Sequence, residues 1–464
     1  MQSARQTVCI QGLGFVGAAM ATAVAMAKES NGNFVYNVIG VELPTKEGVR
    51  RVESINRGEF PLATVDQKLI LAIKDVYNQG NLTATTDRSV YARADIIIVD
   101  VAQDISINKV GSTLDFSLLE EAIRTIGESV LPEALIIVET TVPPGTCENI
   151  VIPALKLELS KRNIPEDAVH VAHSYERVMP GVNYLDSIIN YWRVFAGYTD
   201  EAANICRSFL KTVINTENYP LTQLGSLTAS ETAKVLENSY RAVNIAFIDE
   251  WTKFSERIGI DLNEVVEAIA IRPTHSNIRY PGLGVGGYCL TKDPMFTPAA
   301  AEQVFRHTDL SFPMSRLTVT INQEMPFHVL DRMSGLFQTG LKKSRILICG
   351  VSYRPDIGDT RYSASEILVR EMRHRGATVL LNDPAVTFWS EIQESVPSAL
   401  PAEHVDGVLL AVAHEMYRQP EFIEWLKKNT LIVFDAAPLL TNEQRNDLRS
   451  HGIQVESIGR GEGL

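Results

Sequence analysis

The chain has 464 residues, 45% hydrophobic and 21% charged, and its 56 acidic against 43 basic residues give a net charge of −13. That length exceeds one ordinary core and implies two or three domains. The acidic balance excludes general nucleic-acid or anionic-membrane binding, so an anionic substrate would need a local cluster of Arg and Lys.

No apolar run reaches the roughly 18 residues of a membrane span, and the segment Met1 to Thr7 is polar, without the pattern of a signal peptide. The five cysteines, Cys9, Cys147, Cys206, Cys289 and Cys349, are scattered and never form a CxxC pair. This fits a reducing compartment and argues against structural zinc, so a cytoplasmic protein without a metal is expected.

Thr7 to Gln11 reads as a short apolar strand, followed at once by Gly12-Leu-Gly14-Phe15-Val16-Gly17 and an Ala- and Met-rich helix from Ala18 to Lys28. Strand, GxGxxG and helix together form a dinucleotide-binding fingerprint: the glycines admit a tight turn, close approach of pyrophosphate and close helix packing. A second strand, Val35 to Val41, ends at Glu42, whose carboxylate would accept from a ribose 2′-hydroxyl and repel a 2′-phosphate. NAD is therefore the expected cofactor. Strands are expected at Asp95–Asp100, Leu135–Glu139 and Val169–Ala172, with a helix from Leu114 to Ser129. Thr141, in the Thr140-Thr-Val-Pro-Pro-Gly-Thr146 loop after a strand, is placed to meet cofactor or substrate; capping a turn is the alternative.

Thr228 to Ile258 lacks Gly and Pro and reads as one long helix. Lys234, Asn238 and Arg241 share one face of it, and its two apolar sides call for a second subunit, so a homodimer through this helix is expected. Pro281 to Pro294 then crowds four glycines and Cys289 before Lys292 and Asp293. Such a run either walls in a nucleophilic thiol or is a glycine-rich turn around a small core cysteine. From Ser344 the strand–helix rhythm restarts, with strands at Arg345–Gly350, Ala377–Leu381, Val408–Val412, Leu431–Phe434 and Gln454–Ile458 and a helix from Ser363 to Arg375. Its first loop lacks GxGxxG but carries Arg354 and Arg361, whose guanidiniums suit a diphosphate.

In order along the chain, Gly-Leu-Gly-Phe-Val-Gly, Thr-Val-Pro-Pro-Gly, Tyr-Glu-Arg-Val-Met-Pro-Gly, Lys234-Val-Leu-Glu-Asn238-Ser-Tyr-Arg241, Gly-Val-Gly-Gly-Tyr-Cys289-Leu-Thr-Lys-Asp293, Ile-Asn-Gln-Glu-Met-Pro and Gly-Asp-Thr-Arg-Tyr-Ser resemble the blocks of the UDP-glucose/GDP-mannose dehydrogenase family, the nucleotide-sugar 6-dehydrogenases. The resemblance implies an α/β protein of two Rossmann-like doubly wound domains joined by a central helical domain with one long helix. The expected divisions are 1–205 for NAD, 206–325 for dimerisation with Lys234, Asn238 and Cys289, and 326–464 for the UDP-sugar.

The resemblance also implies a four-electron oxidation of C6 from alcohol to carboxylate with two NAD. Lys234 and Asn238 would stabilise charge on the C6 oxygen, and Cys289, its thiolate favoured by Lys234, would form a thiohemiacetal and then a thioester. Asp293, Thr141 and Glu176 would serve the hydrolytic water. Gly12, Gly14, Phe15, Val16, Gly17, Glu42, Thr141, Lys292 and Arg361 are implied at the cofactor. Glu176, Arg177, Val178, Lys234, Asn238, Arg241, Gly286, Tyr353 and Arg354 are implied at the sugar nucleotide.

The chain departs from the family at Val101-Ala102-Gln103, where Thr-Pro-Thr is frequent, at Tyr175 and Thr291, where Pro is, and around His275. There a partner-subunit arginine is expected, and Arg272 and Arg279 flank the position. The blocks around Glu176, Asn238 and Gly286 look closer to the UDP-N-acetylhexosamine branch than to UDP-glucose dehydrogenases. UDP-GlcNAc or UDP-ManNAc, for a surface polysaccharide, is the expected substrate and UDP-glucose the alternative. A two-electron hydroxyacid dehydrogenase and a non-catalytic nucleotide-sugar-binding protein are the rivals of other classes.

Overall fold

The computed structural model describes residues 5–108 and 111–461. The chain divides into two compact units, Met1–Leu236 with Met295–Leu310, and Glu237–Pro294 with Ser311–Leu464. The passage between them falls inside the long helix Leu227–Ile258, whose end is set by Gly259 in the left-handed region.

The first unit is built on an eight-stranded sheet. In spatial order its strands are Thr222–Gln223, Val194–Gly197, His170–His173, Leu135–Val138, Ile96–Val99, Gln6–Gln11, Tyr36–Val41 and Leu82–Thr85. Every pairing is parallel except that of His170–His173 with Val194–Gly197. Ile96–Val99 and Leu135–Val138 are buried at every position, as continuous apolar strands covered on both faces should be. The order reverses between Gln6–Gln11 and Ile96–Val99, so a crevice opens outside their carboxyl ends. The helix Phe15–Met26 is buried over nearly its whole circumference, which its small residues allow.

The expected helix from Leu114 is corrected. Ser112–Asp115 is a strand pairing antiparallel with Asp104–Ile107, and the helix spans Ser117–Gly127. Gln103 Nε2 donates to the carbonyls of Asp104 and Asp115 at 2.9 and 2.7 Å, and Gln303 accepts from Leu114 N–H and donates to the Ser112 carbonyl, so the hairpin is held by side chains.

The second unit carries a parallel five-stranded sheet in the order Thr378–Asn382, Arg345–Cys349, Val405–Leu410, Thr430–Asp435 and Gln454–Ser457. Its reversal point lies between Arg345–Cys349 and Val405–Leu410. Both sheets are thus doubly wound with helices between strands, the expected α/β class.

Candidate active site

In the first unit, the fingerprint loop packs as glycines require. A Cβ on Gly17 would lie 1.9 Å from the Gly12 carbonyl oxygen, whereas one on Gly14 would meet nothing within 4 Å. Gly14 is the N-cap of the helix Phe15–Met26 and supplies no capping side chain. A helix N-terminus facing open space through a glycine suits a pyrophosphate, so the residues fit a dinucleotide. Glu42 is fixed at the end of its strand, where Oε2 accepts from Leu13 N–H and Oε1 from Leu43 N–H, both at 3.0 Å, while Arg51 Nη1 lies 3.2 Å from Oε2.

Asp100 ends the strand beside this loop, in the departure from the family pattern. Burial, and after it the neighbouring Glu139, push its carboxyl well above the usual carboxylate range. Glu139 itself is paired with Arg193 at 2.6 Å, both buried.

The long helix gathers the segments that follow two adjacent strands. Ser230 Oγ is 2.8 Å from His173 Nδ1. The fully buried Glu231 accepts from Gly145 and Cys147 N–H at 2.5 and 2.7 Å. Lys234 Nζ donates to the Glu176 carbonyl at 2.6 Å, lies 3.4 Å from Glu176 Oε1 and sits 5.4 Å from the Tyr175 ring centre. Glu176 folds back on its own loop to accept from Val178 N–H, while Arg177 donates to the Trp192 carbonyl at 2.7 Å and stacks on Tyr175. Thr141 is half-buried in the same group of strand-end loops. Lys234, Glu176 and Thr141 thus belong to this unit.

In the second unit, Asn238 Nδ2 donates to Asp293 Oδ2 at 2.7 Å and Lys292 Nζ to Asp293 Oδ1 at 3.0 Å, all three side chains being buried. Asp293 N–H donates to the Cys289 carbonyl at 2.9 Å, closing the turn that leads from the cysteine into the short helix Asp293–Met295. Cys289 is half-buried, whereas the other four cysteines are buried. Burial pushes the thiols of Cys9 and Cys206 up to about 12 and raises those of Cys147 and Cys349 as well. These four are inert core.

The glycine run lets a ring close over it. Gly287 has φ of +83°, and a Cβ there would lie 2.7 Å from Tyr353 Cε2. Cys289 lies within electrostatic reach of both Tyr353, whose hydroxyl burial pushes up to about 12, and Arg361. Arg361 holds Asp359 through Nε and Nη2 at 3.0 and 2.7 Å and lies 5.3 Å from the Tyr288 ring centre, while Lys292 Nζ lies 4.3 Å from it.

A cleft of about 650 Å³ opens at the reversal point of this sheet, lined by Gly282 to Gly286 in part, Tyr353, Ser363, Ala411, Ala436 and three guanidine side chains, Arg418, Arg445 and Arg460. Its position and charge suit a nucleoside diphosphate. Gly286 and Tyr353, read from the sequence, line it; Arg354 and Arg361 do not. Arg241, Arg272 and His275 are exposed and Arg279 is half-buried. Sequence reading missed Arg445, which is buried on the helix Asn442–Ser450 and donates to Ser457 Oγ at 2.9 Å and to the Leu440 carbonyl at 2.5 Å. It also missed Glu231, one turn before Lys234 on the same helix.

Three domains of the UDP-glucose/GDP-mannose dehydrogenase family match the chain: the NAD binding domain at 6–214, the central domain at 228–324 and the UDP binding domain at 347–442. A UDP-N-acetyl-D-mannosamine dehydrogenase of Methanocaldococcus jannaschii is 28% identical over 458 residues, 98% of this chain and 96% of its own. An NDP-N-acetyl-D-galactosaminuronic acid dehydrogenase of Ralstonia nicotianae is 28% identical over 423 residues, 89% of this chain and 92% of its own. The solved structure of a UDP-D-ManNAc dehydrogenase from Pyrococcus horikoshii, 26% identical, superposes with a TM-score of 0.80 over 99% of this chain and 100% of that one.

Proposed function

The chain belongs to the UDP-glucose/GDP-mannose dehydrogenase family, and from that premise we propose that it oxidises a UDP-N-acetylhexosamine at C6 to the uronic acid through a thioester on Cys289. It is an NAD-dependent nucleotide-sugar dehydrogenase. UDP-ManNAc and UDP-GlcNAc are the substrates proposed, in keeping with the relatives that act on N-acetylated sugars. UDP-glucose is the alternative.

The observation that carries the covalent route is the contrast among the cysteines: the one at the end of the glycine run is accessible while the other four are core. Gly12 to Gly17 and Glu42 would hold NAD, which would supply the hydride acceptor for each oxidation, one NAD per hydride. In the first, C6 loses a hydride and its hydroxyl gives up a proton to solvent water, with Lys234 and Asn238 stabilising the oxygen. The Cys289 thiolate then forms an S–C6 bond with the aldehyde, and the carbonyl oxygen takes a proton to complete the thiohemiacetal. Loss of that proton and of the second hydride leaves the thioester. Water, oriented by Asp293, Thr141 and Glu176, adds to C6; the C–S bond breaks, thiolate is regenerated and the carboxylate departs. Capture on sulfur prevents escape of the aldehyde.

We further assign a homodimer through the long helix and a cytoplasmic location, where reduced cysteines persist. Tyr240, Phe247, Trp251, Phe254 and Ile258 form a stripe at helical spacing, each about half exposed. Among the described residues no helix is long and apolar enough to cross a membrane. A surface polysaccharide is the proposed destination of the product.

The test is NADH formed at completion with limiting UDP-ManNAc or UDP-GlcNAc, beside a Cys289→Ser variant. Two NADH per sugar, with full turnover lost in the variant, supports the thioester route. One NADH per sugar would favour a two-electron dehydrogenase, and an indifferent variant would make Cys289 structural. Sugar-nucleotide binding without any NADH, UDP-glucose included, would favour a non-catalytic binding protein.

A further inference from the structure

Glu231 is fully buried in the first turns of the long helix, and no ion pair to it occurs among the described residues. Burying an acid is costly unless its oxygens are satisfied. Here they are satisfied by backbone: Oε2 accepts from Gly145 N–H at 2.5 Å and Oε1 from Cys147 N–H at 2.7 Å. These donors open the helical turn Cys147–Val151, whose start has no capping side chain of its own. Glu231 therefore does from another helix what an N-cap does locally, and it answers the positive end of that turn.

The anchored segment is the end of the Thr140-Thr141-Val142-Pro143-Pro144-Gly145 loop. Next to it, Thr146 Oγ1 donates to the Pro143 carbonyl at 2.6 Å and Asn149 Nδ2 to that of Gly145 at 2.7 Å, which brace the end of the loop against the helical turn that follows. The anchor stands one helical turn before Lys234, which is itself bound to the Glu176 carbonyl. Glu231 is thus the side chain of this helix that ties the end of the Thr141 loop to it, beside the Ser230–His173 and Lys234–Glu176 contacts to the neighbouring strand end.

We infer that Glu231 is a positioning residue for the reaction, holding the Thr141 loop against the helix that carries Lys234. The inference rests on the role proposed above for Thr141. The groups acting on the carboxylate are the Cys147 thiol, which hydrogen-bonds to it, the two backbone donors, and Glu148, which repels it. Burial raises its pKa to about 7. The ionised form accepts both N–H groups; a protonated carboxyl turns one acceptor into a donor and loosens the hold. Catalysis should therefore weaken as pH falls through about 7.

Glu231→Gln preserves volume but offers one acceptor oxygen for two N–H groups. Its kcat should fall about 10²-fold, the scale of a small misplacement of a catalytic group, with KM nearly unchanged and the acidic limb near neutrality removed. Amide hydrogen exchange at Gly145 and Cys147 should accelerate in the variant. Wild-type kcat with the wild-type pH profile, or unchanged exchange, would overturn the inference. Should the variant fail to fold, the wild type decides: after correction for intrinsic rates, these two amides should be less protected at pH 6 than at pH 8, and equal protection overturns the proposal. A Thr141→Ala enzyme with full kcat would count against the role of Thr141, while exchange still judges the anchor.

Discussion

Asn238 Nδ2 donates to Asp293 Oδ2 at 2.7 Å, so the amide proposed to serve the substrate oxygen is oriented by the aspartate proposed to serve hydrolysis. The other oxygen of Asp293 takes the ammonium of Lys292 at 3.0 Å. Asp293→Asn would leave Lys292 buried without its charge partner and remove a base. A loss of about 10²- to 10⁴-fold in kcat is expected, the range for removing general acid–base help. Asn238→Asp should be as damaging, because it sets two buried carboxylates against each other. Steady-state kinetics of both variants, with circular dichroism to confirm folding, is the check; near wild-type rates in either would remove this pair from the mechanism.

Accessibility makes Cys289 selectively reactive. Iodoacetamide at pH 7.5 should label one thiol per chain, Cys289, in step with loss of activity, because the other four are buried. Peptide mapping reads the position. Labelling at Cys9, Cys147, Cys206 or Cys349 at a comparable rate would contradict the burial on which the argument stands.

Cofactor choice turns on Glu42 and its neighbour. The carboxylate proposed to meet the ribose hydroxyls is held by Leu13 and Leu43 N–H, with Arg51 3.2 Å away. NADP should be a poor substrate. Glu42→Ala should lose NAD activity yet gain on NADP, because the repulsion goes and a guanidinium remains to meet the 2′-phosphate. The ratio of kcat/KM for the two cofactors is the measurement, and an unchanged ratio would place the discrimination elsewhere.

The parts of the fold legible in the sequence are those with strong local signals. Fully apolar strands such as Ile96–Val99, and a helix running from Leu227 to the stop at Gly259, announce themselves by composition and punctuation. Leu114 and Asp115 fall in the strand Ser112–Asp115, paired with Asp104–Ile107, instead of in the expected helix, because that pairing depends on Gln103 and on Gln303, nearly two hundred residues away. Glu231 was invisible for a similar reason. An acid in a helix ordinarily faces water, and nothing near it signals amide partners 84 and 86 residues earlier. Arg445 likewise sits in a polar helix that by pattern reads as surface.

The apolar stripe on the long helix makes oligomerisation testable. Phe247, Trp251 and Phe254 pack ring against ring, with centroids 6.1 and 5.8 Å apart, and remain about half exposed. An exposed aromatic ladder of this kind marks an interaction surface. Trp251→Arg should convert a dimer to a monomer in sedimentation velocity without changing the circular dichroism spectrum. A wild-type chain that sediments as a monomer would refute the assignment.

His173 predicts an acid-linked loss of stability. Its imidazole is fully buried; burial, with the nearby Lys234 charge, lowers its pKa to about 3. Above about pH 6.5 the ring is neutral in both folded and unfolded chains, and its contribution is fully present. Between about 6.5 and about 3 the unfolded chain takes up a proton that the folded chain refuses, so stability falls by about 1.4 kcal/mol per pH unit from this group. His173→Gln retains a partner for Ser230 but has no proton to gain. The variant should be the less stable at pH 7.5, and its deficit should shrink as the pH is lowered to 5. Thermal midpoints of the two proteins across that range give the comparison. A constant deficit would mean that the imidazole is protonated in place, which would contradict its burial beside Lys234.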